Sequence, residues 1–344
     1  MIKKNMFNKN LEKFTQIEKA EFASMGITDK CMLKCKMCYK WQPDIFIKSE
    51  QADLAPTLEQ YQDLIKGLKQ IVSDDFVLNF GGGEALLHPD IYELISCADK
   101  AGMRTNLVSN GYLIDKKVAK KLAGSGLKTI KLSLDSMNEK KHDYLRGVAG
   151  VYNQLMRAID NLDVHAPNIE MALISVIYEQ NYSGIIDLVE WVNNNPKIKD
   201  VSLTVAMQPN NTLPEKKWWN GEYGFLWPKN KKAISVILDQ LIELKSNNYK
   251  INNSIAQLKA MKKYLINPED FVKKTNCNMD KAIHISSIGK IYHCFFFDPI
   301  GDIHQSTNIS NIWNSEKARM IRQDIRNCKQ NCHFLINCFF EEDE

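Results

Sequence analysis

Three cysteines lie within eight residues near the start of the chain, at Cys31, Cys35 and Cys38, with the spacing C-x3-C-x2-C. A short loop can turn three thiolates toward one point, and thiolates are preferred ligands of soft metal centres such as iron–sulfur clusters. A zinc site or an electron-transferring cluster normally has a fourth ligand close by, but no Cys or His follows nearby. Three protein ligands on a four-iron cluster would leave one iron open to bind another molecule.

The composition is that of a globular protein with a core, because 44% of the 344 residues are hydrophobic and 25% are charged. The formal net charge of +4 is too small to indicate a nucleic-acid partner. We expect no membrane partner either, since no apolar stretch is long enough to span a bilayer and the N-terminus lacks a signal-peptide core. Nine cysteines in such a chain indicate the reducing cytoplasm, where clustered cysteines more often bind metals than form disulfides.

Hydrophobic patterning predicts six alternating strand–helix units. Strands are predicted at 21–28, 76–80, 105–108, 129–134, 169–177 and 201–207. Apolar residues at helical spacing predict helices at 57–72, 91–101, 115–123, 152–164, 185–193 and 234–244. Short connections between such units are typical of an α/β fold with a parallel sheet and external helices. We therefore predict a partial (β/α)6 barrel of the TIM type.

Polar motifs follow the first four predicted strands. The cysteine loop follows the first strand, the Gly-Gly-Glu segment 82–84 the second and Asn110 the third, while Ser133 and Asp135 end the fourth. Barrels of this kind build their active sites at the carboxyl ends of the strands. We therefore expect these motifs to meet in one site, which favours an enzyme over a structural metal protein.

The cysteine stretch and the segment Gly82-Gly83-Glu84 together resemble the radical S-adenosylmethionine (SAM) enzymes, whose signatures are C-x3-C-x-Φ-C and GGE. Met37 occupies the variable apolar position, and Ala85 stands where the family usually has proline. In that family the three cysteines hold a 4Fe–4S cluster whose open iron chelates the amino and carboxylate groups of SAM. Reduction of the cluster then cleaves SAM to a 5′-deoxyadenosyl radical. The resemblance implies the same cluster, cofactor and chemistry here.

The resemblance also implies which residues would contact SAM. Glu84 would bind the ammonium group, and the two preceding glycines would allow close approach of the backbone. Ser133 would contact the ribose, whereas Asp135 would either join it or cap the next turn. Arg146 would pair with the SAM carboxylate, or it would be a solvated surface residue. Two further residues are expected near the cofactor: Tyr39 and Asn110.

The C-terminal region carries a second cysteine pattern, in which Cys277 is followed by eleven residues, Gly289, four residues and Cys294. It resembles the C-x9–15-G-x4-C opening of the SPASM and twitch extensions of radical SAM enzymes. Residues 283–293 alternate like a β-hairpin with Gly289 at the turn, and residues 309–313 lead into a predicted helix that ends at Ile325. We divide the chain into a lead-in (1–20), a barrel (21–250), a connecting helix (251–276) and this extension (277–344).

The extension contains five cysteines: Cys277, Cys294, Cys328, Cys332 and Cys338. A full SPASM domain has seven cysteines and two auxiliary clusters, so the resemblance implies one auxiliary 4Fe–4S cluster of the twitch type. Its ligands would be the first two cysteines and two of the last three. A zinc site using His293 or His333 is the alternative.

The resemblance implies hydrogen abstraction from a peptide or from a small polar, sugar-like substrate, with flavodoxin or ferredoxin as reductant. Residues 1–20 are too few for a fused leader-peptide-binding domain, which favours a small molecule or a peptide delivered by a separate protein. The rival is a non-enzymatic iron–sulfur or zinc protein, such as a redox relay or sensor.

Two interpretations remain open for the aromatic-rich segment 208–232. It forms a lid or substrate platform, or it packs between the barrel and the extension.

Overall fold

The computed structural model describes residues 19–38, 54–209, 212, 215–269 and 277–328. Six parallel strands form the predicted partial barrel: β1 (Ala20–Thr28), β2 (Val72–Gly82), β3 (Arg104–Ser109), β4 (Thr129–Ser133), β5 (Glu170–Ile177) and β6 (Val201–Val205). The helices that follow these strands are α1 (Leu58–Leu68), α2 (Ile91–Lys100), α3 (Lys116–Gly124), α4 (Glu139–Arg146), α5 (Val151–His165), α6 (Ile185–Asn194) and α7 (Lys231–Ser246). In the part of the chain that is described, no helix is long and apolar enough to cross a membrane.

Local sequence explains where the helices begin. Thr57 caps α1, because its side chain accepts a hydrogen bond from the Gln60 amide while the Gln60 side chain accepts one from the Thr57 amide. Asp115 caps α3 by accepting from the Val118 amide. The buried faces of these helices belong to one continuous hydrophobic core with the strands. Cys97 of α2 is half-buried and packs against that core.

The helices differ from the sequence prediction in two places. Helix α4 was not predicted, because only three of its residues are buried and its other residues are polar. It is instead delimited by its ends, where the Asn138 side chain accepts from the Lys141 amide and Gly147 adopts a left-handed conformation with φ of +71°. The segment 309–313, predicted to lead into a helix, forms a short helix of its own, α9 (Ile309–Trp313). The helix predicted to end at Ile325 is present as α10 (Glu316–Arg326), which begins after its cap residue Ser315.

The extension joins the barrel through the sheet. The predicted hairpin is confirmed as strands β7 (Ala282–Ile285) and β8 (Lys290–Tyr292), with Gly289 at the turn and a φ of +77°. Strand β7 pairs in parallel with β1, and β9 (Gly301–Asp302) pairs with β8. The strand order is therefore β6-β5-β4-β3-β2-β1-β7-β8-β9, with helix α8 (Ile255–Ile266) connecting barrel and extension.

Candidate active site

The Gly-Gly-Glu segment packs directly on the start of the cysteine loop. The Gly83 amide donates to the Thr28 carbonyl (2.6 Å), and the Glu84 amide donates to the Lys30 carbonyl (2.8 Å). A Cβ on Gly82 would overlap the carbonyl oxygen of Thr28, and one on Gly83 would overlap that of Lys30. These glycines are therefore needed for backbone-to-backbone contact between the two loops.

The other side of the cysteine loop is held by the C-terminal end of α4. The Lys34 amide donates to the Arg146 carbonyl (3.1 Å), and the Lys36 amide donates to the Leu145 carbonyl (2.9 Å). A Cβ on Gly147 would overlap the Lys34 carbonyl oxygen. The loop that carries the three thiols is thus bound on both sides by segments distant in sequence.

The predicted motifs meet at one cavity of about 130 Å³ at the carboxyl ends of the strands. Most of the residues predicted for the site line it: Cys31, Cys35, Cys38, Gly83, Glu84, Asn110, Ser133 and Arg146. Gly82 and Asp135 lie outside this lining, and Tyr39 is outside the described residues. Ser109 also lines the cavity and was missed in the sequence, although its position at the end of β3 beside Asn110 was a usable signal.

Glu84 is a buried carboxylate held in a fixed position. Its Oε1 accepts hydrogen bonds from the Ser109 hydroxyl (2.9 Å) and the Leu86 amide (3.3 Å), and its Oε2 accepts from the Asn110 amide (2.9 Å). Burial raises the pKa of Glu84, and these three hydrogen bonds oppose that rise. A carboxylate oxygen can accept more than one hydrogen bond, so Oε2 retains capacity for a ligand donor such as an ammonium group.

Asn110 connects the end of β3 to the cysteine loop. Its Nδ2 lies 3.5 Å from Met32 Sδ and 4.0 Å from Cys31 Sγ, while its Oδ1 accepts from the Tyr112 amide (2.8 Å). The side chain is therefore oriented by its own turn and directed at the sulfur atoms of the loop.

Asp135 and Arg146 form a buried ion pair next to the cysteine loop, with 2.8 Å between Nη2 and Oδ2. Asp135 also accepts a hydrogen bond from the Val176 amide (3.1 Å), and its own amide donates to Nδ1 of the buried His142 (3.2 Å). The alternative prediction, that Arg146 is a solvated surface residue, is wrong because only 9% of the residue is exposed. Burial would lower the pKa of Arg146, but Asp135 and Cys35 raise it, so the guanidinium keeps its charge.

The chemistry of this donor set fits an iron–sulfur cluster. Burial raises the pKa of Cys35 to about 11 even though the Arg146 charge opposes it, and burial also raises the pKa of Cys31. Thiols in such surroundings lose their protons when a metal centre binds them, because the metal supplies the compensating charge. Nε of Arg146 is buried without a hydrogen-bond partner in the described part of the chain, which leaves one donor for an anionic group. No three His, Cys, Asp or Glu side chains among the described residues are arranged to hold a single metal ion.

In the extension, an ion pair joins the segments that carry Cys277 and Cys328. Asp280, three residues after Cys277, accepts an ion-paired hydrogen bond from Arg326 Nε (2.7 Å), two residues before Cys328. This pair joins the segment after the first cysteine to the end of α10. Cys332 and Cys338 lie outside the described residues.

His293, next to Cys294, is fully buried, and both of its ring nitrogens are engaged. Nδ1 lies 2.9 Å from the Ala282 carbonyl oxygen, and Nε2 lies 3.3 Å from Nη1 of Arg322. His293 is therefore poorly placed to serve the alternative zinc site, and His333, the other histidine of that alternative, is outside the described residues.

Two known protein families match the segments that carry the cysteines. Residues 25–192 match the model of the radical SAM superfamily, and residues 277–338 match that of SPASM, an iron–sulfur cluster-binding domain. The chain therefore carries a radical SAM domain followed by a SPASM domain. A radical SAM domain binds a 4Fe–4S cluster and SAM, and a SPASM domain binds auxiliary iron–sulfur clusters, so the cofactor types expected from the sequence are confirmed.

Two curated relatives cover different shares of the chain. Fe-coproporphyrin III synthase of Methanosarcina barkeri is 34% identical over 168 residues, which are 48% of this chain and 40% of that protein. The antilisterial bacteriocin subtilosin biosynthesis protein AlbA of Bacillus subtilis is 24% identical over 331 residues, 92% of this chain and 66% of that protein. The chain thus spans less than half the length of the first relative and just under two thirds of AlbA.

The fold is shared with a solved radical SAM protein. Streptococcus suis SuiB bound to SAM has a TM-score of 0.67 and 18% identity, over 97% of this chain and 79% of that one. SuiB has also been solved bound to the precursor peptide SuiA. The predicted α/β partial barrel with an iron–sulfur extension is therefore confirmed as the fold class.

Proposed function

We propose that this chain is a radical SAM enzyme that cleaves SAM reductively and abstracts a hydrogen atom from a peptide. The observation that carries the proposal is the single cavity lined by all three cysteines of the loop, by the buried Glu84 and by Ser133. These residues come from three separate strand ends, as an active site of a β/α barrel requires.

The chain's own residues would bind and orient the cofactors. Cys31, Cys35 and Cys38 would hold the cluster, and Glu84 Oε2 would accept from the SAM ammonium. The Ser133 hydroxyl would reach the ribose, and Arg146 would contribute positive charge beside the thiolates and the SAM carboxylate. When bound, the cluster and SAM would supply an electron and a 5′-deoxyadenosyl radical, with a flavodoxin or ferredoxin as the electron source.

A peptide is the substrate class suggested by the similar proteins that cover most of this chain. AlbA is described as a bacteriocin biosynthesis protein and aligns with 92% of this chain, and SuiB was solved with a precursor peptide. We extend this class to the present chain, in preference to a small sugar-like substrate. We also propose one auxiliary 4Fe–4S cluster in the extension, held by Cys277, Cys294 and two of the last three cysteines: Cys328, Cys332 and Cys338.

The test is anaerobic reconstitution with iron and sulfide, followed by incubation with dithionite and SAM. We expect 5′-deoxyadenosine, measured by liquid chromatography and mass spectrometry, from the wild type and none from the triple Cys→Ala variant of the loop. Circular dichroism of that variant checks that the barrel still folds, because the loop lies outside the main core. Equal amounts of 5′-deoxyadenosine from both proteins, or none from either, would support the rival redox protein.

A further inference from the structure

The segment after β6 forms a groove lined by aromatic, proline, amide and lysine side chains. We call it the tryptophan groove, a cavity of about 570 Å³ whose walls include Trp219, Trp227, Pro228 and Pro268. Its volume lies within the range of about 300–1,000 Å³ that is usual for ligand sites. Grooves lined by aromatic side chains are surfaces that extended, proline-rich peptides bind.

The floor of the tryptophan groove is rigid. The Trp227 ring packs edge-on against Tyr264 of α8, with ring centroids 5.0 Å apart, and also against Trp218 at 5.6 Å. The Tyr264 hydroxyl donates to the Ala206 carbonyl (3.2 Å) just after β6. Trp219 stands on this floor, 5.8 Å from Trp227, and is only half-buried. The packing alternative for the aromatic segment thus accounts for the buried Trp218 and Trp227, whereas Trp219 packs against the same core and also lines the cavity.

Polar groups around the groove are available to a ligand. The side-chain amides of Asn220 and Asn267 line the cavity and are exposed, and neither makes a hydrogen bond within the described ranges. Lys229 and Lys231 also line it, and neither forms an ion pair with any residue that the structure describes. Glu269, an acidic lining residue, is already paired with Lys217 (3.0 Å). The groove therefore offers two lysines without an ion-pair partner among the described residues and two amides that match a peptide backbone.

The tryptophan groove lies on the same face of the barrel as the cysteine loop. The Glu179 amide, just after β5, donates to the Leu226 carbonyl (3.0 Å), and the Lys229 amide donates to the Glu179 carboxylate (2.8 Å). The segment is thereby attached to the carboxyl ends of β5 and β6. Because β6 is one edge of the sheet, the groove sits beside the open side of the partial barrel.

We propose that the tryptophan groove docks a segment of the peptide substrate that lies outside the residue to be modified. The segment is extended, carries proline or an aromatic residue against Trp219 and Trp227, and carries a carboxylate against Lys229 and Lys231. This inference rests on the proposed function, since it assigns part of the same substrate to a second site on the active face.

The test uses the reconstituted enzyme and two fluorescein-labelled peptides, EPPLPPE and KPPLPPK, in fluorescence anisotropy titrations. We expect the acidic peptide to bind more tightly than the basic one, and Trp219→Ala to weaken it about tenfold or more, as loss of an aromatic anchor does. The double change Lys229→Glu and Lys231→Glu should reverse the preference between the peptides. Lys232→Glu is the matched control, because this exposed lysine is the neighbour of Lys231 but does not line the groove.

Equal binding of the acidic peptide to the wild type and Trp219→Ala would overturn the proposal, as would no measurable binding to the wild type. A preference that Lys232→Glu reverses as well as the double change would also overturn it, because the effect would then be one of general charge. Cleavage of SAM by the wild type is measured separately. Its absence would count against the proposed function, whereas the peptide titrations test the groove alone.

Discussion

Gly147→Ala should displace the cysteine loop without touching a cysteine. Gly147 ends α4 in the left-handed region at φ +71°, where a Cβ would overlap the Lys34 carbonyl oxygen. The overlap is with backbone, so neither side chain can rotate away from it. The loop must therefore move away from the end of α4.

The cost follows from two contributions. A left-handed conformation costs a residue with a Cβ about 1–2 kcal/mol. Movement of the loop also breaks the hydrogen bonds from the Lys34 amide to the Arg146 carbonyl and from the Lys36 amide to the Leu145 carbonyl, each worth about 1 kcal/mol. We therefore expect the free energy of unfolding to fall by about 3–4 kcal/mol, or the loop to separate and cluster assembly to fail.

The matched control is Gly150→Ala. Gly150 also has a positive φ, +82°, but a Cβ there would meet no atom within 4 Å. The Gly150→Ala variant should lose only the contribution of the left-handed conformation to the free energy of unfolding, about 1–2 kcal/mol. It should keep the wild-type iron content. Urea unfolding of the apoprotein and iron analysis after anaerobic reconstitution measure both quantities. If Gly147→Ala matches Gly150→Ala in stability and in iron, the loop is not held by α4 in the way described.

Three further predictions concern the site and the extension. Glu84→Gln should weaken SAM binding about tenfold or more, because a charge-assisted hydrogen bond of about 1.5–3 kcal/mol is lost; an unchanged titration of the cluster spectrum would place Glu84 outside the site. Asp135→Asn should cost about 3–5 kcal/mol in urea unfolding by leaving Arg146 buried without its partner. Asp160→Asn is the matched control, because Asp160 is exposed and pairs with Lys197. It should lower the free energy of unfolding by less than about 1 kcal/mol. Similar losses in the two variants would refute the buried pair. Among single Cys→Ser changes at Cys328, Cys332 and Cys338, one should keep full iron, whereas loss of iron in all three would disprove four-cysteine ligation.

The site residues that could be predicted from the sequence lie next to strands that are recognisable in the sequence. Cys31, Glu84 and Ser133 each follow a recognisable strand, and parallel strands must bring their carboxyl ends together. Their convergence could therefore be inferred before any contact was known. Ser109 was within reach of the same reasoning, since it ends β3.

The parts that were missed depend on tertiary contacts. Helix α4 has too little apolar periodicity to be recognised, and its role arises from hydrogen bonds between residues more than a hundred positions apart, such as Lys34 and Arg146. Asp135 was expected at the ribose or at a turn, but burial with Arg146 makes it part of the support beside the loop. Strand β7 could be predicted as part of a hairpin, whereas its pairing with β1 could not.

The most direct test of the central claim is electron–nuclear double resonance of the reduced SAM cluster. Changing Cys277 and Cys294 to Ala would remove the auxiliary cluster, so that the spectrum reports only on the loop cluster. SAM labelled with 15N in its amino group and 17O in its carboxylate should show hyperfine coupling to the cluster, because ligation by Cys31, Cys35 and Cys38 would leave one iron open. Bound SAM without either coupling would show that the cluster has no open iron and would contradict the radical SAM assignment of this site.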